Sequence, residues 1–309
     1  MTTSIGIHPE TRLFEPFLDP VDMVVCVPAV ATVEEINRQL ADQNLRFPLF
    51  CDSGKTLSDH LCVTEFTSCS SRFGSLTDNI LGMNWQLPNG TLARVGERIV
   101  KSTTGYDIRR FLLASSNDYG FPTHYVLRLR PLCDSNLSVH LTGNQESLIA
   151  VAREIRLSSW SHWIDQCDLL FQQNGSRIEL ATNCPEVERS PFREFVQSIS
   201  TELEVTEQSL TPQSLPVFSI KATHSLAASI AQECVEQLGG TARWIANAAA
   251  VLVSPERVPG NELLSQWNEA LLEVGGHIHG LSEQPFSQSQ DALGEQWEEL
   301  LKSQWKEIV

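Results

Sequence analysis

Apolar residues follow two periods along this chain, and the changes of period mark its elements. Residues 23–28 (M-V-V-C-V-P) form a short apolar strand. Val33, Ile36 and Leu40 then fall on one helical face, with Thr32 as N-cap, Glu35 as its capping-box partner and an end near Asn44. Residues 47–50 are apolar and extended. Ile80, Met83, Trp85 and Leu87 predict a strand, Pro88-Asn89-Gly90 a turn with Gly where positive φ is needed, and residues 91–95 the returning strand of a hairpin. Gly105-Tyr106-Asp107 opens a short helix carrying Ile108, Phe111 and Leu112. Tyr125, Leu127 and Leu129 alternate as one face of a half-buried strand does.

Residues 131–136 (P-L-C-D-S-N) are rich in turn formers and set a domain junction, giving domains at 1–134 and 135–309. Beyond it come a strand at 137–141, an amphipathic helix at 146–157, strands at 169–171 and 177–180, and a helix at 192–203. A strand at 217–221, an Ala-rich helix at 225–238 closed by Gly239-Gly240, strands at 242–245 and 250–253, and a helix at 263–274 closed by Gly275-Gly276 follow. Asp291 to Val309 reads as a final helix with Leu293, Trp297, Leu300 and Leu301 as its apolar points. Strands alternating with helices of this length predict an α+β domain of ferredoxin-like type.

A chain of 309 residues can build two cores. Its net charge of −16 argues against nucleic acid or an anionic membrane as partner, because phosphate needs a basic face. No run approaches the ~20 apolar residues of a membrane-spanning helix, and the first residues do not read as a signal peptide. The eight cysteines include no C-x-x-C pair, so reduced, buried thiols in a cytoplasmic protein are expected, without an iron–sulfur site in this chain. His277 and His279 share a strand face, but no third ligand is positioned by the sequence, and surface histidines are expected there rather than a metal site. No catalytic motif or convergent acid–base pair is present, so no catalytic residue is assigned.

The stretch from Arg72 to Pro131 resembles the FAD-binding domain of the vanillyl-alcohol oxidase / p-cresol methylhydroxylase family, and within it the smaller FAD-binding component of glycolate oxidase. The family pattern runs R-Y-G-x-x-R-D-x-V-L-G, L-x-D-G, G-x-x-x-V-K-N-V-x-G-Y-D-L, and G-S-x-G-T-L-G-V-I-T-E-x-T-L-R-L-x-P. This chain keeps Arg72, Gly74, Asp78, Leu81, Gly82, Gly90, Gly96, Val100, Lys101, Gly105, Tyr106, Asp107, Gly120, Thr123, Leu127, Arg128, Leu129 and Pro131 in that order. The resemblance implies FAD, electron transfer from a 2-hydroxy acid such as glycolate, and a complex with a second flavoprotein and an iron–sulfur subunit. It also implies that the α+β domain is a cap. Cofactor contacts would come from Lys55, Thr56, Ser58, Gly74, Lys101, Gly105, Tyr106, Gly120 and Thr123.

The departures lie at ligand-facing loops. The family's paired glycines (T-L-G-G-x-V-A-T-N-x-S-G) let backbone N–H groups approach the FAD pyrophosphate. Here the corresponding place reads Thr56-Leu57-Ser58-Asp59-His60, with both glycines replaced and a carboxylate added. A like-charge pair at ~4 Å costs about 4 kcal/mol at an effective dielectric near 20. Pro122 removes a donor from the loop at 120–123. Neither the P-x-G-G-G-T-S lobe nor the D-P-x-x-x-x-N-P-G segment of the family occurs, so a truncated FAD-binding domain is expected ahead of the cap. Lys101 to Asp107 would brace the flavin-side loop, or would simply turn, cap and pack the helix that follows. The competing expectation is thus a member that keeps the fold without flavin, as a structural or interaction subunit.

Overall fold

The computed structural model describes residues 12–49, 54–99, 108–114, 119–133, 135–208 and 216–280. The helix expected at 291–309 lies outside them, as do Lys101, Gly105, Tyr106 and Asp107. The fold is α+β. In chain order it begins with β1 (Phe17–Asp19), β2 (Val24–Pro28), α1 (Val33–Ala41), β3 (Leu45–Arg46), α2 (Leu57–Val63), α3 (Ser70–Phe73) and α4 (Leu76–Asn79). The hairpin β4 (Ile80–Gln86) and β5 (Leu92–Gly96) follows, then α5 (Ile108–Ala114), β6 (Phe121–Arg128) and β7 (Arg130–Pro131). After these come β8 (Ser135–Thr142), α6 (Gln145–Leu157), a 3-10 turn at Ser159–His162, β9 (Ile164–Gln172), β10 (Gly175–Cys184) and α7 (Glu186–Ile199). The described chain closes with β11 (Glu204–Glu207), β12 (Phe218–Lys221), α8 (His224–Leu238), β13 (Thr241–Ile245), β14 (Ala250–Ser254), α9 (Asn261–Leu272) and β15 (His277–His279).

These elements gather into two compact units, each assembled from separated stretches of chain. Residues 1–31 and 80–128 contribute to one, and 32–79 with 129–281 to the other. The first holds a fully antiparallel five-stranded sheet in the order β1-β2-β6-β4-β5. The central strand β4 is buried along nearly its whole length. Phe14, Val24, Cys26, Leu81 and Val126 form a small core on this sheet. Buried Asn84 ties down the chain before β1, accepting from Phe14 N (2.9 Å) and donating to Phe14 O (2.8 Å). The hairpin turn closes by Leu87 N to Thr91 O (2.8 Å), where the Pro-Asn-Gly signal put it.

The second unit is built on an eight-stranded antiparallel sheet ordered β11-β8-β10-β9-β13-β14-β12-β15. Side chains alternate between its faces. One face carries Val139, Leu141, Ile178, Leu180, Leu169, Phe171, Trp244, Val251 and Ile220, which join the main core. Helix α6 packs over β9 and β10, α8 over β13 and β14, α7 against β8, and α9 against β15. The capping box read at Thr32 and Glu35 is present at the start of α1. The helix expected at 192–203 instead spans Glu186–Ile199 with Pro191 inside it. Apolar periodicity marks only the part that meets the core, where Phe192 and Val196 are buried.

Gly120 is the tightest point of the first unit. Its φ is +107°, and an added Cβ would stand 2.0 Å from the Gln86 carbonyl oxygen and 2.8 Å from Trp85 Nε1. The indole itself donates to Tyr119 O at 2.7 Å. Gly120→Ala is expected to destabilise the protein by about 2 kcal/mol or more, read as a lowered midpoint of urea unfolding.

Candidate functional site

Lys55, Thr56 and Ser58 lie on one turn, but the turn is a helix start rather than an open loop. Thr56 is the N-cap of α2 and forms a capping box with Asp59. Thr56 N and Oγ1 donate to Asp59 Oδ2 (2.8 and 2.9 Å), and Asp59 N donates to Thr56 Oγ1 (3.2 Å). Thr56 also bridges Thr32, so the capped starts of α1 and α2 lie side by side. The Thr56 backbone donor, aided by the Thr56 hydroxyl and Lys55, holds the Asp59 carboxyl below its ordinary range although burial opposes this. Lys55 is exposed, and its carbonyl accepts from Val33 N at 3.1 Å. The turn therefore presents an ionised carboxylate where a pyrophosphate would need clustered donors. As it stands it does not fit a dianion.

Gly74 ends α3 with φ +78°, and a Cβ there would meet Asp78 Oδ2 at 2.8 Å. Asp78 accepts from Ser75 N and Oγ in the turn that follows (3.0 and 2.8 Å). Gly120 and Thr123 belong to the first unit. Thr123 O accepts from Ala29 N at 2.9 Å, and its hydroxyl reaches Asn84 O at 3.4 Å. Each described candidate thus has a local structural partner or steric reason. Lys55, Thr56, Ser58 and Gly74 fall in one unit, and Gly120 and Thr123 in the other.

A group of side chains that the sequence pattern did not single out occupies the second face of the eight-stranded sheet. His140 on β8, Glu179 on β10 and Asp168 on β9 are register partners across three strands. Arg243 on β13 donates through Nη1 to Asp168 Oδ2 (3.0 Å) and Glu179 Oε2 (2.6 Å). Arg177 clasps Glu179 Oε1 through Nε and Nη2 (3.0 and 2.8 Å). Ser68 adds a hydrogen bond to Asp168. Gln166 Oε1 and His140 Nε2 are buried without a hydrogen-bond partner. Such buried polar atoms are rare in folded proteins and point to a missing water or ligand.

Burial pushes the Asp168 carboxyl up to about 6, against the pull of Arg243 and Ser68. Burial also acts on Glu179, but Arg243 and Arg177 outweigh it and hold that carboxyl low. His140 is pushed down by burial and by both guanidiniums, with Glu179 opposing, so its imidazole is neutral at pH 7. The sequence signal was available: R177-I-E179 and Q166-C-D168 put polar residues at every second position of strands whose other face is apolar.

Asp165 stands at a β-bulge. Ala181 pairs with Gln166 and Thr182 with Ile164, which leaves Asp165 as the extra residue of β9. The bulge delivers its carboxylate, 1% exposed, to two guanidiniums: Arg46 Nη2 to Oδ2 at 2.5 Å and Arg72 Nη1 to Oδ1 at 2.6 Å. Arg46, Arg72 and Arg130 all lie over the Phe73 ring, 4.9 to 5.6 Å from its centroid. Arg72, the first residue of the motif that carries the resemblance, is here a tie between α3 and β9.

Ile278 is buried between His277 and His279, which share the other face of β15. Burial and Lys221 lower His277, with Glu65 opposing. Among the described residues no group of three or more His, Cys, Asp or Glu side chains could hold a metal ion, and no helix is long and apolar enough to cross a membrane.

No family model matches the chain. Part of it is 31% identical over 110 residues to a mitochondrial D-lactate dehydrogenase (cytochrome) of Arabidopsis thaliana, covering 35% of this chain and 19% of that protein. It is 24% identical over 123 residues to an uncharacterized FAD-linked oxidoreductase of Mycobacterium tuberculosis (40% and 27%). It is likewise 24% identical over 123 residues to the glycolate oxidase subunit GlcD of Bacillus subtilis (38% and 26%). Each aligned stretch spans less than a third of the relative's length. Among solved structures, an alkyldihydroxyacetonephosphate synthase superposes with a TM-score of 0.62 at 12% identity, covering 96% of this chain and 64% of that one. That likeness is one of fold.

Two outcomes follow from the charged groups. Asp165→Ala leaves two largely buried guanidiniums without their carboxylate and is expected to destabilise by about 3–5 kcal/mol in urea unfolding. For Asp168, an unfolded carboxyl ionises near pH 4 while the folded one holds its proton to about 6. The unfolded state gives up that proton first as pH rises, so this group removes stability between pH 4 and 6. The loss reaches about 3 kcal/mol at neutral pH. Asp168→Asn is expected to abolish that component, so that parent and variant diverge across this window in urea titrations at pH 4.5 and 7.

Proposed function

On the premise that this chain is homologous to the FAD-linked oxidoreductases of the p-cresol methylhydroxylase type, we propose that it is a subunit of such an oxidoreductase acting on 2-hydroxy acids, in the manner of the smaller FAD-binding component of glycolate oxidase. The observation that carries the reading is the ordered set of family residues between Arg72 and Pro131, supported by curated relatives whose names include D-lactate dehydrogenase and glycolate oxidase. Under this reading residues 135–309 form the α+β cap, and the partners are a second flavoprotein and an iron–sulfur subunit. Flavin contacts are assigned to Lys55, Thr56, Ser58, Gly74, Lys101, Gly105, Tyr106, Gly120 and Thr123. Because the capping box at 56–59 does not fit a dianion, no chemical step is assigned to these residues, and the pyrophosphate contacts are assigned outside this turn. The flavin, when bound, would supply the redox chemistry.

A second reading has its own support. Asp59 is fully engaged in capping α2, which is how a chain that keeps the fold without flavin would look. The two readings separate on the absorbance of the purified protein between 300 and 550 nm, with and without added FAD. A flavin band that co-elutes after loading is expected. Asp59→Gly should then tighten FAD binding roughly tenfold or more. A colourless protein that cannot be loaded overturns flavin binding by this chain alone and supports a structural or interaction subunit.

A further inference from the structure

Arg243 uses only one of its nitrogens. Nη1 serves both Asp168 and Glu179, and among the described residues no hydrogen bond engages Nε or Nη2. The side chain is 15% exposed, so the guanidinium is held firmly but not sealed. Its register partners are Leu170 on β9 and Leu252 on β14, and Leu170 in turn pairs with Arg177 on β10. Two guanidiniums therefore stand on one row of the sheet, two strands apart (about 10 Å), with a leucine floor between them. Arg177 is 34% exposed and commits its donors to Glu179 and Gln172. Arg243 is the one with a planar edge left open, the geometry that meets a carboxylate in a two-pronged fashion.

We propose that this face binds a small carboxylate on the free edge of Arg243, and that the Asp168–Glu179 pair takes up one proton as the anion arrives. The charge balance requires the second part. Arg177 and Arg243 already match Glu179 and Asp168, so an added anion leaves an excess negative charge in a largely buried place. Asp168 is the acceptor, since burial already holds its proton close to neutral pH. The groups facing it are limited. Neutral His140 lies beyond Glu179 on β8, with Thr206 of β11 as its register partner. Ser68 reaches Asp168 from the segment before α3, and Arg72 of α3 is committed to Asp165. Lys221 and His277 share Asp168's row but stand past Ile245 and Ala250, with Lys221 over the Phe66 ring. Exposed Glu204 of β11 lies on Arg177's row, outside Thr142.

The choice of a hydroxy acid as ligand rests on the oxidoreductase reading; the carboxylate site does not. The test is calorimetric titration of the full chain, free of flavin, with glycolate, D-lactate and acetate, in two buffers of different ionisation enthalpy. Binding with uptake of about one proton at pH 7, tighter at pH 6 than at pH 8, is expected. Arg243→Gln should weaken binding roughly ten- to a hundredfold, and Arg243→Lys, which keeps the charge without the planar edge, should weaken it too. Asp168→Asn, a near-isosteric change that spares the fold, should bind the anion with almost no proton uptake. Binding of acetate as well as the hydroxy acids supports the anion site whatever becomes of the flavin. Silence with all three ligands in the folded parent overturns the proposal, as does unchanged proton uptake in Asp168→Asn.

Discussion

The carboxylate of Asp165 between Arg46 and Arg72 is the interaction on which the second unit depends. It exists because one extra residue in β9 turns a side chain out of the regular alternation. An ion pair that deep is stable only when both partners stay. Here three stretches of chain depend on it or lie next to it. Arg46 brings β3, which pairs with β7; Arg72 brings α3 onto β9; and Phe73 receives the guanidiniums of both, with Arg130 from β7 as a third. With α3 held against β9, the preceding segment can lay Phe66 on Ile245, Ala250 and Leu252 and bring Ser68 to Asp168.

The same sheet resolves two opposing demands on its faces. One face is a continuous apolar surface under helices and supplies most of the hydrophobic stabilisation. The other concentrates charge that most proteins of this acidity would leave in water. It survives burial because the charges are arranged as alternating partners along neighbouring strands, each guanidinium answering at least one carboxylate. What remains unanswered on that face is polar but uncharged: a glutamine oxygen and a histidine nitrogen. Carboxylates kept at different protonation levels by one arginine recur at sites that handle protons or anions.

Legibility from the sequence followed the range of the interactions. The Thr32–Glu35 capping box and the Pro88-Asn89-Gly90 hairpin are decided within a few residues, and both were readable. Helix α2 was not: Thr56 and Asp59 spell a capping box as clearly as Thr32 and Glu35, but matching the turn to a glycine-rich loop drew attention to what had been replaced instead of to what the replacements build. The charged face was hidden for another reason. Asp168, Glu179 and Arg243 are ordinary one by one, and only the pairing of three strands brings them together. No local pattern announces a bulge at Asp165 either, since its partners lie far away in the chain.

That distance has a consequence for how the chain is made. Arg46 waits for a residue 119 positions later, Ser71 for Asn247, 176 positions on, and Leu61 for His279, 218 positions on. The stretch at 32–79 thus leaves the ribosome long before the sheet that receives it, while residues 80–128, which belong to the other unit, emerge in between. Such non-local, all-antiparallel topology folds slowly, because loop-closure entropy is lost before the contacts form. During that interval Leu57, Leu61 and Phe66 are exposed apolar groups on a nascent chain, so synthesis of this protein draws on chaperones in a way its finished surface does not disclose.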